Sequence, residues 1–197
     1  MKVVVSSSNK DKIAEIKAIL EDNYEVVTKA DMGYGDFDVE EDGTTLEENA
    51  YKKARALYDL IKEPIFADDT GLFVEALGGR PGIYAARFAG QDCSYKDNVK
   101  KMLNELSDVT DIAKRNAYFE TVICFIDKEG KEHFVHGRLK GRIAFKEQGD
   151  NGFGYDPIFM PEGYDKTFAQ LLTSVKNNIS HRALALAGFK TLLEDLG

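Results

Sequence analysis

Three consecutive valines, Val3 to Val5, run directly into Ser6-Ser7-Ser8-Asn9, and this junction restricts the fold more than any other stretch of the chain. A short continuous apolar run reads as a strand buried on both faces, here Lys2 to Ser6. Asn9 can then cap a helix whose Ile13, Ile16 and Leu20 fall on one side. Tyr24 to Thr28 reads as a second strand. The following stretch, Asp31 to Gly43, is a loop carrying three glycines and six acids.

Thr45 and Glu48 have capping-box spacing, and the helix they open puts Leu46, Ala50, Ala54, Leu57 and Ile61 on one stripe. Pro64 ends it. Ile65 to Ala67 reads as a short buried strand that delivers Asp68-Asp69-Thr70-Gly71 into a sharp turn. Ser94 caps a helix with Val99, Met102, Leu103 and Leu106 inward. Ala117 to Ile126 is a long strand, returned by a Lys128 to Lys131 turn into a strand over Glu132 to His136. Gly149 to Asp156 is a glycine-rich loop. Ser180 opens a last helix in which Leu186, Phe189, Leu193 and Leu196 recur at helical spacing. Helices between strands at both ends, with a hairpin between them, predict an α/β fold with a mixed sheet.

The chain has 197 residues, without an internal repeat or a linker-like tract, which predicts one domain over 1–197 or two closely packed lobes. At that size roughly 70% of the unfolded surface is buried, so neither disulfides nor a structural metal is needed. With 43% hydrophobic and 30% charged residues, a disordered chain is excluded. No apolar run approaches the ~20 residues that span a bilayer, and the start lacks a signal-peptide core. Cys93 and Cys124 are too few for a disulfide framework and predict free thiols in a reducing cytoplasm. A net charge of −8 opposes attraction to nucleic acid or anionic membranes, while leaving room for a phosphorylated ligand held by a local basic cluster.

Several stretches carry chemistry, each with two readings. Asp68-Asp69 is either a solvated turn or a Mg2+ site, since Mg2+ takes one or two carboxylates plus waters and phosphate oxygens. Adjacent carboxylates cannot both be buried without partners. Glu40-Glu41-Asp42 is a second acidic cluster, which otherwise complements a helix dipole. Ser7-Ser8-Asn9-Lys10-Asp11-Lys12, leaving a strand for a helix, is a plain N-cap or a phosphate cradle with Lys12 as its charge. Neither GxxxxGK[ST] nor GxGxxG occurs. Gly152-Phe153-Gly154-Tyr155-Asp156-Pro157 is a turn with core aromatics or a place for a base to stack. Lys176 and Ser180-His181-Arg182 gather donors at a helix N-terminus, where the dipole opposes cations unless an anion or polar ligand is bound. His133 and His136, three apart on a strand, point to opposite faces and share no metal.

Taken in order, the N-terminal SxSNKxK, ADDTGL at 67–72, GGRPGIYAARFAG at 78–90, GFGYDPIF at 152–159 and Lys176…Ser180-His181-Arg182 resemble the Ham1-like, or inosine triphosphate pyrophosphatase, family, and they do so over essentially the whole chain. The resemblance implies a Mg2+-dependent cytoplasmic homodimer that hydrolyses ITP, dITP and XTP to the monophosphate and pyrophosphate. It implies an elongated α/β fold of two lobes around a long central mixed sheet, with the site in the cleft. Carried over by position, Ser7, Ser8, Asn9, Lys10, Asp11 and Lys12 hold phosphates. Glu41 and Asp69 hold the metal, and Asp69 is also the general base. Thr70 contacts substrate, and Lys53 faces the triphosphate. Phe153, Gly154, Tyr155, Asp156, Lys176, His181 and Arg182 surround base and sugar.

The chain departs from that family's pattern in places. Thr70 replaces a commoner serine, Asp150-Asn151 precede the GFGYDP stretch, Gln170 replaces an acid, and Ser174-Val175 replace an acidic pair before Lys176. Two rival readings are a nucleotide sensor that binds without hydrolysis, and a Maf-like pyrophosphatase acting on other nucleotides. The intact Asp68-Asp69 pair argues against the first, and the Ser180-His181-Arg182 tail against the second.

Overall fold

The computed structural model describes residues 2–20 and 24–196. In chain order come β1 (Lys2–Val5), α1 (Lys10–Leu20), β2 (Glu25–Thr28), α2 (Leu46–Ile61), β3 (Ile65–Val74), β4 (Pro81–Gly82) and α3 (Tyr95–Glu105). After these follow β5 (Asn116–Ile126), β6 (Glu132–Ile143), β7 (Phe159–Pro161), α4 (Thr173–Ile179) and α5 (His181–Leu196). The strands form a mixed sheet in the order β2-β1-β3-β5-β6-β7, with β4 paired to β3. β1 runs parallel to β2 and β3, while β4 and β7 run antiparallel to β3 and β6. This is the expected α/β class.

The chain divides into two compact units. Met1–Asp69, Thr121–Gly137 and Arg182–Gly197 make the first, and Thr70–Glu120 with Arg138–His181 the second. In the first unit the valine triplet is apolar throughout because both faces of β1 are covered. Val3 and Val5 pack with Ile16 and Leu20 of α1 and with Leu186 and Phe189 of α5. Val4 packs on the other side with Ala50, Ala54 and Leu57 of α2. Side chains alternate across a strand, so one short run feeds two cores. In the second unit, Val99 and Met102 of α3 join Leu72, Phe119, Phe159 and Phe168 in a third core.

Two expectations need correction. The segment from Ile65 does not turn at Gly71: β3 continues for ten residues to Val74, with Asp68 and Asp69 buried inside it. The acids look like a break in the sequence, but partners from distant segments let the strand continue through them. The strand after the hairpin also runs to Ile143 rather than His136, its charged residues lying on an alternating exposed face. β7 and α4, too short to show periodicity, had no counterpart in the sequence reading. The caps are close to expectation. Thr45 accepts the Glu48 amide at 3.1 Å, but the Glu48 carboxylate returns to Thr44, one residue earlier than a reciprocal box requires. α2 ends on Lys62 in the left-handed conformation, ahead of Pro64.

Candidate active site

Period-two alternation sends the neighbouring carboxylates of Asp68 and Asp69 to opposite faces of β3, so the pair cannot chelate one ion together. Asp68 shares its face with Phe66, toward α1 and α5. Its Oδ2 lies 3.1 Å from Lys12 Nζ and 3.6 Å from Arg182 Nε. Burial by itself would raise the Asp68 pKa. Lys12, Arg182 and Lys53 outweigh it and hold the carboxyl well below the usual carboxylate range. Arg182 is 2% exposed and also pairs with Glu15 of α1. Lys12, Glu15, Asp68 and Arg182 thus form one charge cluster under the start of α1.

Asp69 shares its face with Ala67, toward α2. Two donors on that helix, four residues apart and therefore on one side of it, take one carboxylate oxygen each. Lys53 Nζ lies 3.3 Å from Oδ1, and Asn49 Nδ2 donates to Oδ2 at 3.3 Å. Lys53 also donates to Glu41 Oε1 at 2.9 Å and to the Asp68 carbonyl at 2.8 Å. Burial pushes the Asp69 pKa up, and Lys53 and Lys12 pull it back only in part. Burial opposes the Lys53 charge, but Asp69, Glu41 and Asp68 outweigh that and raise its pKa.

Glu41 and Asp69, 28 positions apart in the chain, therefore converge on one cationic point. That donor set fits Mg2+, which takes one or two carboxylates and completes its octahedron with water and phosphate oxygens. Among the described residues no group of three or more His, Cys, Asp or Glu could hold a metal, so an ion here would need water and phosphate oxygens to complete its shell.

The Ser7 to Lys12 stretch joins β1 to α1. Asn9 Oδ1 accepts the Asp11 and Lys12 amides at 3.0 and 3.1 Å, and the Asn9 amide donates to Ser7 Oγ at 3.2 Å. The N-cap reading is what the hydrogen bonds of this stretch show. Ser8, Lys10 and Asp11 are exposed, whereas Lys12 is committed to Asp68.

The second unit holds a separate cluster. Asp156 Oδ2 accepts the Phe153 amide at 2.9 Å and pairs with Lys176 Nζ at 2.5 Å. Lys176 lies over the rings of Phe153 and Phe168, at 4.7 and 5.6 Å from their centroids. Gly152 must be glycine: its φ is +77°, and a Cβ would come within 2.0 Å of Asp156 Oδ2. Gly154 follows in the same loop. Tyr155 is buried and its hydroxyl donates to the Ala85 carbonyl at 2.8 Å, so this member of the expected set props the loop from beneath. His181, 4% exposed, stacks on Phe119 with centroids 4.4 Å apart. Thr70 is half-buried in β3.

The expectation that unmatched cations at the start of α5 imply a bound anion is overturned. Lys176 belongs to α4 and is paired with Asp156, and Arg182 is paired with Glu15 and Asp68. Protein carboxylates supply the compensation. Sequence reasoning missed Glu15 and Asn49. The only signal for Asn49 was a polar residue beside Ala50 at the inner edge of an apolar helix stripe; nothing marked Glu15. His133 and His136 do not meet: the first pairs with Asp127 at 2.8 Å, and the second lies 3.7 Å from Glu47.

Residues 3–192 match the model of the Ham1 family. The chain is 45% identical to a dITP/XTP pyrophosphatase of Thermoanaerobacter pseudethanolicus, over 98% of this chain and 96% of that protein. It is 47% identical to the dITP/XTP pyrophosphatase of Caldanaerobacter subterraneus subsp. tengcongensis, over 96% of this chain and 94% of that one. The solved Ham1 protein of Staphylococcus aureus superposes with a TM-score of 0.88 at 42% identity, covering 100% of both chains.

Proposed function

This chain belongs to the Ham1 family, and from that membership and the two residue clusters we infer what it does and how. It is a nucleoside triphosphate pyrophosphohydrolase that converts ITP, dITP and XTP to the monophosphate and pyrophosphate. The observation that carries the assignment of roles is the convergence of Glu41 and Asp69 on Lys53 Nζ, at 2.9 and 3.3 Å, beside a capped helix start.

Glu41 and Asp69 would hold Mg2+ in this reading, and the ion would supply neutralisation of phosphate charge and polarisation of the α–β anhydride. Asp69 takes the proton of the attacking water, a role helped by a pKa raised through burial, because a base nearer neutrality drives proton transfer better. Lys53 and Lys12 offset the charge of the triphosphate, and Ser7 to Asp11 present hydroxyls and the helix N-terminus to it. Thr70, next along β3, contacts the substrate. Phe153 and Gly154 receive the base and sugar, with Asp156, Lys176 and His181 fixing their orientation and Tyr155 supporting the loop. Arg182 contributes its guanidinium from the Glu15 and Asp68 cluster.

We further propose that residues 1–197 act as one catalytic domain in a cytoplasmic homodimer. The family membership is what supports that reading, and the free thiols of Cys93 and Cys124 fit a reducing compartment.

The test is a panel of ITP, dITP, XTP, GTP and ATP with pyrophosphate and monophosphate as the measured products. Release of pyrophosphate from ITP and XTP with kcat/KM well above that for ATP is expected. Binding of ITP without pyrophosphate release would return the sensor reading.

A further inference from the structure

Asn49 is 1% exposed in the first turn of α2, where a solvated asparagine would be unremarked and a buried one must find partners. The orientation of its amide is forced. The Gly43 N–H can only donate, so the oxygen that receives it at 2.9 Å is Oδ1. The amide nitrogen is then left facing Asp69, a carboxylate that can only accept.

One side chain therefore ties the backbone two residues beyond Glu41 to the carboxylate of Asp69. The fit at the loop end is tight: a Cβ on Gly43 would come within 2.5 Å of Asn49 Oδ1 and 2.9 Å of Glu48 Cβ. The backbone of Asn49 is itself fixed, its amide bonded to the Thr45 carbonyl at 3.2 Å. At the other end, Asn49 and Lys53 each take one oxygen of Asp69, which stops the carboxylate from rotating.

Resting on the reading of Glu41 and Asp69 as the metal carboxylates, we propose that Asn49 is the positioning residue that sets their separation and the plane of the Asp69 carboxylate. Both of its amide contacts are to the protein, so it acts through Asp69 and the loop. Its contribution is to present two ligands, from a loop and from a strand, at a spacing an octahedral ion accepts without reorganisation. Glu41 sits in a glycine-rich, acidic loop that has no regular structure of its own, so the spacing depends on what anchors the loop's end.

The test uses Mn2+ alone as a paramagnetic probe, titrated into the whole free protein and followed by water-proton relaxation. Asn49→Leu, close in volume and without the amide, should weaken Mn2+ binding about tenfold, the usual scale for losing a residue that orients a metal ligand. In turnover assays the Mg2+ concentration for half-maximal rate should rise, and saturating Mg2+ should recover part of the lost turnover. Thr45→Ala, which removes the helix cap on the same turn, should lower thermal stability and leave the Mn2+ Kd unchanged.

Wild-type Mn2+ affinity in Asn49→Leu overturns the proposal. Should that variant not fold, Gly43→Ala decides instead. It removes no buried polar group but pushes the loop off Asn49, so it must weaken Mn2+ binding or the proposal fails. A different result, Mn2+ affinity unchanged in both Glu41→Gln and Asp69→Asn, sinks the metal site itself and this inference with it.

Discussion

Asp68 and Asp69 are covalent neighbours whose carboxylates lie on opposite faces of one strand, each held by a different lysine. Lys12, from the helix that follows β1, meets Asp68 at 3.1 Å, and Lys53, from the helix that precedes β3, meets Asp69 at 3.3 Å. The two have different surroundings for that reason. Asp68, with Arg182 and Glu15 around it, anchors a charge cluster. Asp69 shares Lys53 with Glu41.

Asp69→Asn should reduce turnover by at least ~10², because both the proton acceptor and a metal carboxylate are lost. The change is nearly isosteric, and Lys53 keeps Glu41 and the Asp68 carbonyl as partners, so the thermal midpoint should stay within a few degrees. Steady-state ITP hydrolysis beside a melting curve checks both. More than a tenth of wild-type turnover would take Asp69 out of that role.

Asp68→Asn should chiefly damage stability. It leaves Lys12 and Arg182 without their shared anion, and breaking a buried ion pair costs about 3–5 kcal/mol. The pH dependence has a definite sign. The folded pKa of Asp68 lies below its ordinary value of 3.8, because Lys12, Arg182 and Lys53 outweigh the effect of burial. Its contribution is therefore fully present above the unfolded value and is lost as the pH falls below it toward the folded one. Urea midpoints measured from pH 6 to pH 2 should fall less steeply in Asp68→Asn than in wild type.

Chelation should abolish hydrolysis, and Mg2+ should restore it. Ca2+ should restore little, since it prefers longer bonds and more ligands than two carboxylates and a phosphate arrange for Mg2+. A rate indifferent to chelator would remove Glu41 and Asp69 together from the metal site.

Lys176→Met keeps most of the side-chain volume over Phe153 and Phe168 but removes the donor held by Asp156. ITP and XTP carry an acceptor oxygen at the 6-position where ATP carries an amino donor, so the loss should fall on ITP. The ratio of kcat/KM for ITP over ATP should shrink at least ~10-fold, as expected when a polar contact that discriminates substrates is deleted. Arg182→Ala should lower the ITP term too, and both variants should lose thermal stability, because each removes one partner of a buried ion pair. An unchanged ratio in Lys176→Met would leave the Phe153 loop as the place to look.

The two thiols should behave differently. Cys124 is fully buried in β5, and burial pushes its pKa up from 9.0 to about 12. Cys93 is half-buried, its thiol donating to Asn98 Oδ1 at 3.2 Å. Iodoacetamide at pH 8 should label Cys93 in the native protein and Cys124 only after unfolding, read by mass spectrometry of the digest. Because the Cys124 pKa is raised in the folded state, its contribution to stability is intact below pH 9.0 and falls as pH rises toward 12.

Elements with long, clean periodicity were legible from the residues alone. α2 and α5 show their apolar stripes, Asn9, Thr45 and Ser94 announce helix starts, and the valine triplet requires cover on both faces. Site stretches were legible as candidates, since Ser7 to Lys12, Asp68-Asp69 and Phe153 to Asp156 each combine polar groups with special backbone in a way a plain core does not need. Their roles were not, because each stretch had a bland structural reading of similar weight, and only their order along the chain tied them to one family.

Local pattern carries the long elements: where α1, α2, α3 and α5 begin, that β1 is covered on both faces, and which residue types a phosphate or a Mg2+ ion would want. The tertiary structure alone decided which charge meets which. Local pattern treats Asp68-Asp69 as a break in a strand, because it counts two buried anions and no compensation. Lys12, Lys53 and Arg182 come from positions 56, 16 and 114 residues away from Asp68, Asp69 and Asp68 in turn, and nothing in the periodicity of either segment encodes those pairings. Burial then strengthens each pairing by lowering the local dielectric, so the same residues that look like a solvated turn in one dimension become an ordered charge network in three.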